Sequence, residues 1–173
     1  EESITVEKIL LTHGHLDHCG ASKQIRDQLN ISIEGPHKDD QFWIDQLEEQ
    51  SKQFGLPNAS SFIPDRYLND NEIVEFGTIK LLVKHCPGHT PGHVIFFSPE
   101  EKIAIVGDVL FSGSIGRTDF PRGDYDTLIE AITTKMWPLG NDVTFFPGHG
   151  PTSTFGIERQ TNPYVGDFVT GIH

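Results

Sequence analysis

Lys8-Ile9-Leu10-Leu11-Thr12-His13-Gly14-His15-Leu16-Asp17-His18 decides how this chain is read. The segment up to Thr12 is short, continuously apolar after Lys8 and bounded by Gly14, which predicts a strand buried on both faces. Side chains of an extended segment alternate, so His13 and His15 project to one side. Gly14 and Gly20 let the chain turn closely after that, which frees Asp17 and His18 to point toward a second metal. Neutral imidazole and carboxylate are the usual ligands of a hydrolytic zinc site, and iron or manganese accept them as well. One histidine in a solvated loop is commonplace, but four metal-competent side chains in the H-x-H-x-D-H spacing are hard to explain as packing.

The 173 residues are enough for one sizeable core, so residues 1–173 are expected to form a single domain. Lys plus Arg number 13 against 25 Asp plus Glu, a net charge of −12. A body this acidic repels phosphate backbones, and Arg117, Arg122 and Arg159 are scattered rather than clustered, which disfavours nucleic acid as a partner. No apolar run approaches the roughly 20 residues of a membrane span. Cys19 and Cys86 form no recognisable framework and read as small buried hydrophobes in a reducing, cytoplasmic compartment.

Along the chain, Ala21, Ile25 and Leu29 recur at helical spacing up to Asn30, and Ile31-Ser32-Ile33 reads as a short strand closed by Gly35-Pro36. A second helical pattern starts at Asp39 and Asp40, contains Trp43, Leu47 and Phe54, and stops at Gly55, with its charged face expected in solvent. Residues 56–71 are loop-like. Two hairpins follow, over 73–86 around Gly77 and over 94–106 around Pro99-Glu100-Glu101. A helix over 126–136 turns Leu128, Ile132 and Met136 inward, with Thr127 and Glu130 matching a capping box. Residues 143–146 form a last strand, and a shorter helix surrounds Glu158.

Three more motifs each follow an apolar strand, where loops carry sites that a rigid sheet can position. They are Cys86-Pro87-Gly88-His89-Thr90-Pro91-Gly92-His93, Gly107-Asp108-Val109-Leu110-Phe111 and Pro147-Gly148-His149-Gly150. Singly each is weak, since a Gly-Asp is usually a turn. Together with the opening motif they supply the ligand types that two metal shells need.

With all four motifs in order, the chain from Ile9 to about Asn162 resembles the metallo-β-lactamase superfamily, and within it the short bacterial type of glyoxalase II-like protein, the hydroxyacylglutathione hydrolases. The resemblance implies an α/β protein with an αβ/βα four-layer sandwich. Only eight residues precede Ile9, so the leading strands of that fold are expected to be missing from this chain. About 24 residues follow His149, so no counterpart to the C-terminal helical domain that holds glutathione in glyoxalase II proper is expected. Carried over by position, His13, His15 and His89 resemble the ligands of a first metal, Asp17, His18 and His149 those of a second, and Asp108 the carboxylate that bridges them. His93 falls where the family places no ligand and is expected to hydrogen-bond. Arg117 falls where relatives place a basic, substrate-contacting residue, although a surface arginine paired with an acid reads equally well.

The resemblance further implies a zinc-dependent hydrolase of small-molecule thioesters, glutathione-linked, that uses a metal-generated hydroxide, with Asp17 and Asp108 as its catalytic carboxylates. The run Gly116-Arg117-Thr118-Asp119-Phe120 also resembles the persulfide dioxygenases, which use a single iron, and these are the rival reading. A non-catalytic metal-binding module is the third, disfavoured because an intact two-metal shell serves little structural need.

Overall fold

The computed structural model describes residues 5–57 and 59–171. The opening stretch forms strand β1 (Lys8–Leu10), followed by helices α1 (Leu16–Cys19) and α2 (Ser22–Leu29) and by strand β2 (Ser32–Glu34), which pairs parallel to β1. β1 is half-buried along its length rather than buried on both faces, because β2 is its one strand partner among the described residues. Helix α2 ends at Asn30, which takes the left-handed conformation at φ 52°. Its stripe of Ala21, Ile25 and Leu29 is not the buried face: Ile25 and Leu29 remain exposed and Ser22 is buried instead.

The second helical pattern is broken into a 3-10 turn (Lys38–Asp40), α3 (Gln41–Ile44) and α4 (Leu47–Gln53). Of its apolar positions Trp43 and Leu47 are buried, together with Ile44, whereas Phe54, just past the end of α4, is exposed. Both hairpins form as expected, from β3 (Ile73–Phe76) and β4 (Ile79–His85), and from β5 (Val94–Ser98) and β6 (Ile103–Gly107). A small ribbon follows, β7 (Leu110–Phe111) with β8 (Ser114–Ile115). Helix α5 (Tyr125–Ala131) continues as a π turn to Met136, and Leu128, Ile132 and Met136 face inward. Its cap differs from the expected Thr127–Glu130 box: the helix starts earlier, with Asp124 extended at the N-cap and its carboxylate accepting from the Thr127 N–H at 2.8 Å, so Thr127 lies inside the first turn. Strands β9 (Thr144–Pro147) and β10 (Ser153–Thr154) and helices α6 (Phe155–Thr161) and α7 (Asp167–Thr170) complete the fold.

The main sheet runs β3-β4-β5-β6-β9-β10 and is antiparallel except between β6 and β9. Every residue of β5 is buried, so this central strand packs on both faces. Ile95 and Phe97 meet Leu128, Ile132 and Phe155 on the helical side, while Val94 and Phe96 meet Leu10 and Leu68 on the other. A third cluster joins Leu11 and Ile33 to Cys19, Ile44 and Leu47. Three cores therefore separate four layers: α5–α6, the six-stranded sheet, the β1–β2 pair and α1–α4. Beyond the reach of β1–β2, the paired Ile105 and Phe146 stay 45% and 44% exposed. Among the described residues no strand precedes β1.

Candidate metal centre

The four motifs converge at one edge of the sandwich, each held by the end of a strand. β1 delivers His13, His15, Asp17 and His18, β4 delivers His89, β6 delivers Asp108 and β9 delivers His149. Donor atoms of His13, His15 and His89 lie within 4.8 Å of one another, and the same holds for Asp17, His18 and His149 and for His13, His18 and Asp108. Asp108 stands between the two outer groups. Its Oδ2 lies 3.7 Å from His89 Nε2 and 3.6 Å from His149 Nε2, and its Oδ1 lies 3.4 Å from His18 Nε2.

Several buried polar atoms here have no hydrogen-bond partner: His13 Nε2, His15 Nε2 and Asp108 Oδ1. Such atoms are costly unless something electrophilic meets them. Gly148 makes the approach possible, because a Cβ there would collide with Asp108 Oδ1 and stand 2.6 Å from His18 Cε1. Five imidazoles and two carboxylates around unsatisfied buried donor atoms fit a pair of divalent cations.

The two sides of the centre differ electrically. Burial, reinforced by the other histidines, pushes His13 far below its ordinary value and His15 down to about 4, and burial also lowers His89. These three are neutral imidazoles near neutral pH, the protonation state a metal needs. On the other side, the hydrogen bond from His18 holds the Asp17 carboxyl well below the usual carboxylate range. Burial alone would lower His18, but the nearby Asp108 and Asp17 carboxylates outweigh that and raise it to about 9. Orientation is fixed from behind as well. His89 Nδ1 lies 2.7 Å from the Arg117 carbonyl, which can only accept, so Nδ1 carries the proton and the Nε2 lone pair faces the centre.

His93 is wholly buried, and its Nε2 accepts the backbone N–H of Asp108 at 3.0 Å, the hydrogen-bonding part expected of it. The Arg117 guanidinium makes a two-pronged pair with Asp119 at 2.9 and 2.8 Å, both side chains about two-thirds exposed. It also lies 4.4 Å above the Phe120 ring. Cys19 and Cys86 are free and buried, and burial pushes both thiols up to about 12, so neither offers a thiolate.

Two parts of the centre escaped the linear reading. Trp43 and Phe120 set their rings 4.6 and 5.2 Å from His15, forming an aromatic wall on that side. Trp43 had a core signal and Phe120 only a loop signal. Asp40, expected on a solvated helical face, is wholly buried, because the loops around His13 and His89 close over it.

A sequence profile described as the Metallo-beta-lactamase superfamily matches residues 2–149. The chain is 47% identical over 166 residues to the hydroxyacylglutathione hydrolase GloC of Haemophilus influenzae, covering 95% of this chain and 78% of that protein. The crystal structure of TTHA1623 in a di-iron-bound form superposes with a TM-score of 0.84 at 35% identity, over 93% of this chain and 78% of that one. The BLEG-1 B3 metallo-beta-lactamase does so with a TM-score of 0.83 at 37% identity, over 92% of this chain and 77% of that one. No helix among the described residues is long and apolar enough to cross a membrane.

Proposed function

We propose, because the chain belongs to the metallo-β-lactamase superfamily, that it is a metal-dependent hydrolase of thioesters acting on S-(2-hydroxyacyl)glutathione. The observation that carries this is the pair of three-ligand groups on either side of Asp108. The 47% identity to a hydroxyacylglutathione hydrolase supports the substrate class. His13, His15 and His89 would hold one divalent ion and Asp17, His18 and His149 the other, with Asp108 reaching both. Zinc suits these ligands best, and iron or manganese fit the same set. Bound there, two such ions supply hydroxide near neutral pH and polarise a carbonyl.

The chain's own residues do the rest. Asp17 stays ionised and half-exposed, so its Oδ2 can accept a hydrogen bond from attacking water and orient it. The Arg117 carbonyl keeps the His89 ring in the tautomer that turns Nε2 inward. Trp43 and Phe120 exclude water beside His15 and leave an apolar wall for the acyl group. A thiolate leaves without needing much protonation, which matches a centre that offers no dedicated general acid. The buried, unpaired cysteines support a reducing, cytoplasmic setting.

The test is elemental analysis of anaerobically purified protein beside turnover of S-lactoylglutathione. The expected result is close to two metals per chain and hydrolysis. A single iron with no second equivalent taken up on zinc addition, together with oxidation of glutathione persulfide, would establish the dioxygenase reading that the Gly116–Phe120 run supports. Metal without turnover of either substrate would leave a binding module.

Arg117 contributes modestly in this reading, because its guanidinium already has a carboxylate partner and is two-thirds exposed. Arg117→Ala should raise KM for S-lactoylglutathione by about 2–5-fold with kcat nearly unchanged, the pattern of lost uniform binding. A fall in kcat at constant KM would place Arg117 at the reacting atoms instead.

A further inference from the structure

We infer that Asp40 is a positioning residue that sets the geometry of the His13/His15/His89 group by tying together the two loops that carry it, and that it does not act on the Asp17/His18/His149 group. The inference rests on the two-metal reading above. Asp40 is 0% exposed, and among the described residues it has no Lys, Arg or His as an ion-pair partner. Its carboxylate instead receives three hydrogen bonds. Oδ2 accepts from Gly14 N–H at 2.9 Å and from Thr90 Oγ1–H at 2.8 Å, and Oδ1 accepts from Gly92 N–H. Gly14 separates His13 from His15, and Thr90 follows His89. One carboxylate thus fixes the spacing of two loops that come together only in the fold.

The contact is close. A Cβ at Gly14 would lie 2.9 Å from the Asp40 carbonyl oxygen, and one at Gly92 would lie 2.8 Å from Asp40 Cβ. The segment is pinned in turn, with Asp40 N–H donating to His37 O and His37 N–H to Gly92 O, each at 3.0 Å. One turn later Trp43 packs on His15. Burial pushes the Asp40 carboxyl up to about 6 against the three donors that lower it, so near neutral pH it is the anion that accepts all three bonds. An amide of the same shape cannot do this, because its NH2 would face a donor.

Zn²⁺ affinity measured by competition with a chromophoric chelator separates this role from a general structural one. The His149→Ala chain retains the His13/His15/His89 group, and the His89→Ala chain retains the other. Asp40→Asn should lower the Zn²⁺ affinity of the first by about 10–100-fold, the usual cost of losing a group that orients ligands, and that of the second by less than about 3-fold. Thr90→Val, which removes one of the three bonds, should give a smaller loss, again confined to the first background; it decides the matter if Asp40→Asn does not fold. Equal losses in both backgrounds, no loss in the first, or failure of both variants to fold would each overturn the proposal. A wild-type chain that binds one Zn²⁺ would overturn the two-metal reading, while the His149→Ala measurements would still decide the part played by Asp40.

Discussion

Asp108→Ala should abolish measurable thioester hydrolysis, with kcat falling by about 10³-fold or more, roughly 4 kcal/mol of barrier, and should release at least one metal. The Asp108 carboxylate faces both three-ligand groups, at 3.4 Å from His18 and 3.6–3.7 Å from His149 and His89. Removing its charge leaves two cations facing each other without an anion between them. Neighbouring His93 provides the contrast. It touches Asp108 through the backbone N–H, so His93→Ala leaves one buried donor unpaired, a cost of about 1–3 kcal/mol, and should retain both metals with activity reduced about tenfold. Elemental analysis and initial rates on the two variants check this. A His93→Ala protein emptied of metal beside a fully loaded Asp108→Ala protein would reverse the ligand assignment.

Withdrawing the metals should be nearly as severe for rate and should also weaken the fold. Exhaustive chelation is expected to lower turnover of S-lactoylglutathione by at least about 100-fold, recoverable on addition of Zn²⁺, because the four motifs contain no serine and both cysteines are buried as thiols, leaving neither to attack in place of hydroxide. Stability follows by mass action. A cation that binds only the folded chain adds about 4 kcal/mol at a thousandfold excess over Kd, and for a chain of this size each kcal/mol moves Tm by about 2–4 °C. A rise of roughly 8–16 °C on saturation with Zn²⁺ is therefore expected by scanning calorimetry. The orphaned His13 Nε2, His15 Nε2 and Asp108 Oδ1 explain the sign, since the cation meets buried polar atoms that are otherwise unpaired. Unchanged Tm together with unchanged turnover after chelation would show that these atoms are not ligands.

What the sequence determined by itself was local: which segments are strands, and which motif stands at the end of each. Apolar runs ahead of His13, His89, Asp108 and His149 placed all four motifs in loops after strands, because strand formation and turn chemistry are written within a few residues. The tertiary structure alone decided what those side chains meet. Asp17 and His149 lie 132 positions apart and come within 3.1 Å only because β1 and β9 end at the same edge of the sandwich. Asp40 read as the charged start of a solvated helix, and no local pattern shows that Gly14, Thr90 and Gly92 would turn three donors onto it. The stripe of α2 set its helix correctly but not its buried face, and β1 is half-buried where its composition implied full burial. Arg117 read equally as a substrate contact or as a surface arginine paired with an acid, and only the fold shows which acid it meets, Asp119. Periodicity records the conformation of a segment, whereas burial and partners depend on what the rest of the chain packs against it.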